Sequence, residues 1–345
     1  MPRELLLVAP RKLVIREYEE RPLKPNEVRI KSVFSAEKHG TMMAFYRGEV
    51  PFIDKEFNEQ LHLFIRRKEK KSIYPMYMGN MTVGVVTEIG TNVKNFKVGD
   101  RVFGYLPIRE THTVTEDKVW LAPPELSDEE LVCIDPAVVA LMAVREGHIR
   151  LGEKVAIFGL GAIGLMAVQM AKLSGAIFVI GVDPLETRRK LAEKYGADAT
   201  LNPFECDVGL EIKRLTEGKG VDVSLEISGS YQALHQAIRA TCYGGRIVPV
   251  SWYHGEAKGL FLGEEFHFNR QVIISGARVE SEPYREYPLW TRQRVYETVI
   301  ELFKRKKLTV KGMLHPIVPF DKVVEAYELI DKHSEKVIKL GVRYE

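Results

Sequence analysis

Two rhythms of apolar and polar residues divide the chain. From the start to about residue 122, short runs of apolar and polar positions predict β-strands separated by turns such as KPNE and KVGD. The runs are ELLLVA, KLVIREY, EVRIKSVF, TVGVVTEIG, RVFGYL and HTVTEDKVWLA. This part of the chain is typical of a small antiparallel barrel.

One segment interrupts these strands. Residues 50–73 carry apolar side chains at Phe57, Leu61, Phe64 and Ile65, a spacing that predicts a short helix ending in a basic cluster. The cluster is interpreted as a solvated helix end. The segment follows closely on residues 35–48, which are considered below as a candidate catalytic turn, so we expect it to shape or cover the site at that turn.

From about residue 137 the rhythm changes to short apolar strands alternating with amphipathic helices, which predicts right-handed βαβ units around a buried parallel sheet. The strand runs are VAIFG, FVIGVD, DVSLEIS, RIVPVS and QVIISGARV, and helices are predicted at 165–174, ETRRKLAEKYG and YQALHQAIRATC. Beyond about residue 280 come two further predicted helices, TRQRVYETVIELFKRKK and one near DKVVEAYELIDKH. The predicted fold class is therefore α/β with a doubly wound parallel sheet beside a β-rich part.

A glycine-rich loop joins the first of these strands to its helix. Gly159, Gly161 and Gly164 form GxGxxG, in which the first glycine allows a tight turn, the second admits a pyrophosphate and the third lets helix and strand approach closely. Ala162 and Ile163 complete the loop where the helix offers free N–H groups to phosphate. The loop predicts a dinucleotide site.

Asp183 ends the next strand, nineteen residues after Gly164, where a carboxylate accepts hydrogen bonds from the adenosine ribose. A carboxylate there would repel a 2′-phosphate, which favours NAD over NADP. Arg188 and Arg189 weaken this preference slightly, and they are predicted to face solvent or to flank the adenine. Ser228 and Ser251, which end the runs DVSLEIS and RIVPVS, are further predicted cofactor contacts.

Composition narrows the choice of partners. A chain of 345 residues exceeds what one core usually serves, and its 50 lysines and arginines nearly balance 47 acidic residues without clustering. We expect small-molecule partners, not nucleic acid or membranes. No run is long and apolar enough for a membrane span, and the start lacks a signal-peptide core, so a cytoplasmic protein is expected. The three cysteines form no CxxC pair that would predict a metal site.

The order and spacing of these motifs resemble the medium-chain dehydrogenase/reductase superfamily over essentially the whole chain. The matching stretches are VRIKSVFSAEKHGTMMAFYRG, VGVVTEIGTNVKNFKVGDRVFGY, IDPAVVALMAV, the glycine loop with VIGVDPLETRRKLAEKYGADATLNP, VDVSLEISGS and GGRIVPVS. The resemblance implies a Rossmann domain inserted into a GroES-like barrel, with domains at 1–142, 143–280 and 281–345. It also implies a homodimer or homotetramer.

Within the superfamily the chain looks most like the polyol and threonine dehydrogenases, which bind a catalytic zinc. That branch takes its ligands from a Cys-Gly-Thr/Ser turn, a Gly-His-Glu turn and a later acid; the matching positions here are His39, Asn80, Met81 and Asp135. An amide and a thioether are poor ligands for Zn²⁺. The four-cysteine structural zinc lobe is also missing, since FGYLPIRETHTV runs through that region. We therefore expect no tightly bound zinc.

Without zinc, the chemistry would rest on hydrogen bonds and proton transfer. Thr41 stands where the family keeps a hydroxyl that passes on the substrate proton, and His39 is a candidate general base. Lys38 is the alternative, as a cation near the substrate oxygen. Asn80 could orient the substrate, while Asp135 is a candidate that also suits a helix cap. His39 could instead hydrogen-bond a buried backbone group.

The predicted function is an NAD-dependent oxidoreductase that moves hydride between nicotinamide and a secondary alcohol or ketone of a polyol, cyclitol or sugar derivative. One alternative is a zinc-independent NADPH quinone or alkene reductase. Asp183 opposes it, whereas a group of methionines near the turns favours an apolar pocket: Met42, Met43, Met76, Met78 and Met81. The other alternative is a dinucleotide-binding protein without enzymatic activity.

Overall fold

The computed structural model describes residues 1–276 and 290–345, and the chain divides into two units. The first unit comprises Met1–Val132 and Leu314–Glu345, and the second comprises Cys133–Met313. The chain thus leaves the first unit once and returns to it, as the resemblance implies. The chain passes between the units at residues 132/133 and 313/314. The first predicted boundary, 142/143, falls inside a helix of the second unit. The second predicted boundary, 280/281, lies outside the described residues.

The elements of the first unit before the crossing are mostly strands. Its strands are β1 (Arg3–Ala9), β2 (Lys12–Glu17), β3 (Glu27–Ala36), β4 (Lys55–Asn58), β5 (Leu63–Arg66), β6 (Met76–Tyr77), β7 (Met81–Ile89), β8 (Arg101–Gly104), β9 (Thr111–Thr115) and β10 (Val119–Leu121). Its helices are α1 (His39–Arg47) and α2 (Asp128–Val132), with 3₁₀ turns at Pro51–Ile53 and Glu116–Lys118. Each of the six predicted runs contains a strand, and the run HTVTEDKVWLA contains two, β9 and β10, separated by the second 3₁₀ turn.

The second unit alternates helices and strands. Its elements are α3 (Ile134–Glu146), β11 (Lys154–Phe158), α4 (Ala162–Leu173), β12 (Phe178–Val182), α5 (Glu186–Lys194), β13 (Ala199–Leu201), α6 (Val208–Leu215), β14 (Val221–Glu226), α7 (Tyr231–Ala240), β15 (Thr241–Pro249), α8 (Glu265–Phe268), β16 (Val272–Ile273) and α9 (Arg292–Lys304). Helix α3 packs against α4 and α9, so it belongs to this unit. The end of the predicted strand QVIISGARV lies outside the described residues.

The chain then completes the first unit with β17 (Leu314–Pro319), α10 (Val323–Lys332) and β18 (Lys339–Arg343), with 3₁₀ turns at Phe320–Lys322 and Ser334–Lys336. Strand β3 pairs antiparallel with both β7 and β18, and Ala36 lies opposite Met81 on one side and Gly341 on the other. The residues that follow β3 therefore lie beside those that precede β7 and those that begin β18.

The sheet of the second unit is parallel throughout, with the order β13-β12-β11-β14-β15-β16. The order reverses at β11: the next strand in sequence lies on one side of it and β14 on the other. Loops from the carboxyl ends of β11, β12 and β14 consequently meet at one edge, the switch point where doubly wound sheets bind ligands. This confirms the predicted parallel sheet.

The predicted helix within residues 50–73 is wrong, because this segment contains the antiparallel pair β4 and β5. The Asn58 side chain accepts hydrogen bonds from the Gln60 and Leu61 amides, at 3.0 and 2.9 Å, and His62 adopts a positive φ of 49°. This local turn reverses the chain where a helix would have continued. It also places Phe57 opposite Phe64, with ring centroids 5.2 Å apart.

Several helices bury one apolar face. Helix α7 buries Leu234, Ala237 and Ile238, and α9 buries Val295 and Val299. Among the described residues, no helix combines the length and apolar character that crossing a membrane requires.

Candidate dinucleotide site and catalytic turn

The three glycines of the loop after β11 have three different surroundings. Gly159 has φ +91°, and a Cβ there would lie 2.7 Å from the Ser228 amide nitrogen. A Cβ on Gly164 would overlap the Gly159 carbonyl group, whose carbon would be 2.9 Å away. A Cβ on Gly161 would meet no atom within 4 Å. Two glycines are thus required by the fold itself, whereas the third borders open space.

That open space lies at the start of α4. Gly161 is the N-cap residue and Ala162 and Ile163 open the helix; no side chain caps it, and its first turn contains no acidic residue. The amides and partial positive charge of this terminus suit a phosphate group. The predicted phosphate-binding loop therefore has the geometry of an anion site, with room beside Gly161.

Asp183 follows β12 and is only 3% exposed. Its Oδ2 accepts a hydrogen bond from the Leu160 amide of the glycine loop at 2.8 Å, and its Oδ1 accepts one from the Leu185 amide at 2.9 Å. The Arg188 guanidinium lies 3.7 Å from Oδ2. Because each carboxylate oxygen can accept two hydrogen bonds, this fixed carboxylate keeps acceptor capacity for ribose hydroxyls.

Ser228 and Ser251 lie on the other side of β11 from Asp183. Ser228 donates from its amide, at 2.8 Å, and from its hydroxyl to the Glu226 carboxylate. The Ser251 hydroxyl donates to the Ile227 carbonyl oxygen at 2.5 Å. Both serines thus hold the loop after β14, beside the Gly159 turn.

Sequence reasoning missed Glu226, which ends β14, is fully buried and holds the loop that follows. The available signal is its position: an acid that ends an otherwise neutral half of a predicted buried strand, VSLE, needs a polar partner. The Tyr253 hydroxyl is one such partner and donates to the Glu226 carboxylate.

In the first unit, the candidate catalytic turn is tied to β18. Helix α1 begins at His39, and the Leu340 amide donates to His39 Nε2 at 3.0 Å. The Lys339 ammonium, itself buried, donates to the Glu37 carbonyl oxygen at 2.6 Å. The alternative of a structural hydrogen bond from backbone to His39 is therefore confirmed. The structure groups Lys38, His39 and Thr41 on one turn.

Glu37 was not singled out from the sequence, and its side chain is completely buried. Burial raises the pKa of its carboxyl to about 8, although the Lys38 amide donates to it at 2.9 Å and the Lys339 ammonium is near. Asn80, across the strand pair, donates its backbone N–H to the Ala36 carbonyl oxygen at 3.0 Å. Within the described residues, Glu37 Oε2 and Asn80 Nδ2 are buried and make no hydrogen bond.

Asp135 belongs to the second unit, in the first turn of α3, and is 3% exposed. The structure therefore places Lys38, His39, Thr41 and Asn80 around the ends of β3 and β7, and Asp135 on a helix of the other unit. The catalytic roles of these five residues stay predictions.

The comparisons with known proteins agree with this architecture. The family described as alcohol dehydrogenase GroES-like domain matches residues 24–119, and the family described as zinc-binding dehydrogenase matches residues 162–303. D-guloside 3-dehydrogenase of Escherichia coli (strain K12) is 41% identical over 350 residues, which span 99% of this chain and 100% of that protein. L-threonine 3-dehydrogenase of Pyrococcus furiosus is 33% identical over 288 residues, 74% of this chain and 79% of the relative.

Among solved structures, 2R,3R-butanediol dehydrogenase from Bacillus subtilis superimposes with a TM-score of 0.78 at 26% identity, covering 99% of both chains. The fold and the glycine-loop site define an alcohol-dehydrogenase-like oxidoreductase of an NAD(P)-dependent family. The chain belongs to the medium-chain dehydrogenase/reductase superfamily, which confirms the predicted family and its GroES-like and Rossmann domains.

Because the family implies a zinc ion, the side chains at the corresponding positions can be tested for suitable donor atoms. In the first unit these positions offer the imidazole of His39, whose Nε2 already accepts from Leu340, the amide of Asn80 and the thioether of Met81. Met81 is fully buried in β7. Only one of these three side chains is a good zinc donor, so they do not fit a zinc site.

A different group of metal-binding side chains lies in the second unit. Ligand atoms of His235 on α7 and of Glu264 and Glu265 at α8 all lie within 4.8 Å of one another. Glu264 is 3.6 Å from His235 Nε2, and Glu265 is paired with Arg239. The Arg239 guanidinium accounts for Glu265, and metal analysis of the protein requires a variant of this group as a control.

Proposed function

We propose that the protein is an NAD-dependent dehydrogenase that interconverts a secondary alcohol and a ketone on a small hydroxylated substrate, a sugar derivative or polyol, without catalytic zinc. The observation that carries the cofactor choice is the buried Asp183 carboxylate, fixed by two backbone amides next to the glycine loop. The substrate class rests on the 41% identity with a D-guloside 3-dehydrogenase along the whole chain.

Three groups would hold the cofactor. The α4 N-terminus beside Gly161 would bind the pyrophosphate, Asp183 the adenosine ribose, and the loop held by Ser228 and Ser251 the other half of the dinucleotide. Bound NAD would supply the hydride acceptor for the carbinol hydrogen. The rest of the reaction is the loss of one proton from the substrate hydroxyl, which falls to the protein.

For this proton, we assign Lys38, His39 and Thr41 as the working side chains. A lysine cation beside the substrate oxygen stabilises the charge that develops there, and the threonine hydroxyl can accept and donate at once. Because His39 Nε2 accepts from the Leu340 amide, the neutral ring carries its proton on Nδ1 and has no lone pair left for the substrate proton. His39 would therefore donate a hydrogen bond from Nδ1 to the substrate oxygen, and the substrate proton would leave to water through the Thr41 hydroxyl. Asn80 is assigned to substrate orientation, and Asp135 is retained as a further candidate.

The structure weakens the argument from methionines for the alternative function, an NADPH-dependent quinone reductase. Met43, Met78 and Met81 are at most 4% exposed, and Met43 and Met78 belong to the core around β1 and α10. Buried core methionines do not favour an apolar substrate pocket. Asp183 also opposes a 2′-phosphate.

The test is a panel of glycosides, polyols, cyclitols and the matching ketones, measured by NADH absorbance, with parallel calorimetric titrations of NAD and NADP. We expect NAD to bind more tightly than NADP, and turnover of at least one sugar derivative. Asp183→Asn, which removes the charge and replaces one of the two acceptor oxygens with a donor, should narrow the difference in Kd between the two cofactors. Tight binding of NADP alone would refute the cofactor choice, and turnover of quinones alone would refute the substrate class.

A further inference from the structure

The strand order fixes which half of a dinucleotide each loop can meet. The glycine loop follows the central strand β11, and Asp183 follows β12 on one side of it. With the adenosine ribose on the β12 side, the nicotinamide half must extend over the loops after β14 and β15 on the other side. This assignment rests on the dinucleotide binding proposed above.

Glu226 ends β14 next to Phe158 of β11 and is fully buried. Its Oε1 accepts from the Ser228 amide at 2.8 Å and from the Ser228 hydroxyl. Its Oε2 accepts from the Gly229 amide at 3.2 Å and from the Tyr253 hydroxyl. One carboxyl thus joins the loop after β14 to the loop after β15.

These contacts define the charge of the group. All four partners are N–H or O–H donors, and an ionised carboxylate, which only accepts, has about four acceptor sites. The protonated acid would need one hydroxyl to turn round and accept. Burial raises the pKa of Glu226 and the four donors oppose that shift. In the described part of the chain, neither Lys nor Arg forms an ion pair with Glu226.

A buried negative charge without a counter-cation is costly, and a cation brought near it is stabilised. The two redox forms of the cofactor differ in this respect: the oxidised nicotinamide ring carries a positive charge, and the reduced ring is neutral. We propose that Glu226 acts as an electrostatic positioning residue that favours the oxidised, cationic nicotinamide over the reduced one. Its role is distinct from hydride or proton transfer, because it acts on the ring through space by its charge and exchanges neither hydride nor proton.

The test compares the Kd values of NAD⁺ and NADH for the full-length protein and for Glu226→Gln, by calorimetry and by NADH fluorescence. If a unit charge acts across a partly screened protein interior, removing it in Glu226→Gln should raise the ratio Kd(NAD⁺)/Kd(NADH) about tenfold. For a two-electron couple this equals a shift of about 30 mV in the potential of the bound cofactor. A merely structural role would weaken both forms equally and leave the ratio unchanged.

Two variants serve as matched controls. Tyr253→Phe removes one donor and keeps the charge, so both Kd values should change together. Asp222→Asn removes a charge from the same strand, about 13 Å towards its other end, and should leave the ratio unchanged. Asp222 accepts from the Lys154 amide at 2.8 Å, which an asparagine oxygen can also do.

The outcomes separate the two proposals. If wild type binds neither NAD nor NADP, the proposed function fails; if it binds NAD and the ratio is the same in Glu226→Gln, the role of Glu226 fails. The glutamine amide could conflict with the Gly229 N–H and impair folding. Glu226→Ser is the second variant, because it removes the charge and leaves space for water to accept from the donors; an unchanged ratio in this variant also refutes the proposal.

Discussion

Replacing two glycines of one loop should separate cofactor binding from folding. In Gly164→Ala the new Cβ would overlap the Gly159 carbonyl group, with the carbonyl carbon 2.9 Å away. Backbone atoms cannot yield as a flexible side chain can, so we expect the upper end of the cost of overpacking, about 3 kcal/mol. For a unit of this size that corresponds to a loss of about 6–12 °C in Tm.

Gly161→Ala should behave in the opposite way. Its Cβ would meet no protein atom within 4 Å, and its backbone angles, φ −71° and ψ −168°, suit any residue. Stability should change by less than about 1 kcal/mol. The same Cβ would occupy the space in which a pyrophosphate approaches the backbone, so NADH binding should weaken about tenfold or more, a cost of at least about 1.4 kcal/mol.

The assay is a thermal melt of each apo variant together with a fluorescence titration of NADH. Gly263→Ala is the control, since its Cβ also meets open space but lies outside the loop. It should change neither quantity. The reasoning would be refuted if Gly161→Ala lost as much stability as Gly164→Ala, or if it bound NADH as tightly as wild type.

Three further results are expected. Burial raises the pKa of Glu37 to about 8 in the folded state, against 4.5 in the unfolded chain, so the folded state binds this proton more tightly. As pH rises from 4.5 to 8, the free energy of unfolding of wild type should fall relative to that of Glu37→Gln by at most about 1.4 kcal/mol per pH unit, and Tm should fall with it; parallel Tm curves would contradict this. Metal analysis after dialysis should show that His39→Asn does not change zinc content, with His235→Ala as the control for the second-unit group. Thr41→Ala should lower kcat with the substrate identified by the panel and leave the Kd of NAD unchanged, whereas wild-type kcat would show that the hydroxyl is structural.

The parts of the fold that were predicted correctly depend on local chemistry. The roles of Gly159 and Gly164 follow from the steric demands of a turn and of a close helix, and Asp183 is found by its spacing from them. The strands of the first unit were readable because their turns carry glycine, proline and asparagine at short intervals. All of these signals lie within a few tens of residues.

The hairpin of β4 and β5 shows where such reasoning fails. Phe57, Leu61 and Phe64 have helical spacing, but the same spacing is also compatible with a β-hairpin. The deciding feature is the Asn58 side chain, whose hydrogen bonds to the next amides compete with helix formation. Where the spacing of apolar residues fits both a helix and a hairpin, the turn-forming residues decide between them.

Buried carboxyls mark a second limit, because their chemistry depends on contacts distant in sequence. Glu37 lies beside Lys339, 302 residues away, and Glu226 is bound by Tyr253 from the next loop. Both acids end or follow a strand and both are completely buried. Nothing in the local sequence distinguishes them.

Their partners do distinguish them, and with opposite results. Glu226 receives four donors and no cation, an arrangement that matches a carboxylate. Glu37 accepts the Lys38 amide on one oxygen while its other oxygen makes no hydrogen bond, and the nearby Lys339 ammonium donates to the backbone carbonyl; burial then raises its pKa to about 8. The donors around Glu226 therefore suit the charged form of that carboxyl beside the dinucleotide loop, whereas burial keeps Glu37 a neutral acid at neutral pH next to the proposed catalytic turn. The number of donors, which only the folded chain supplies, decides which role a buried glutamate takes.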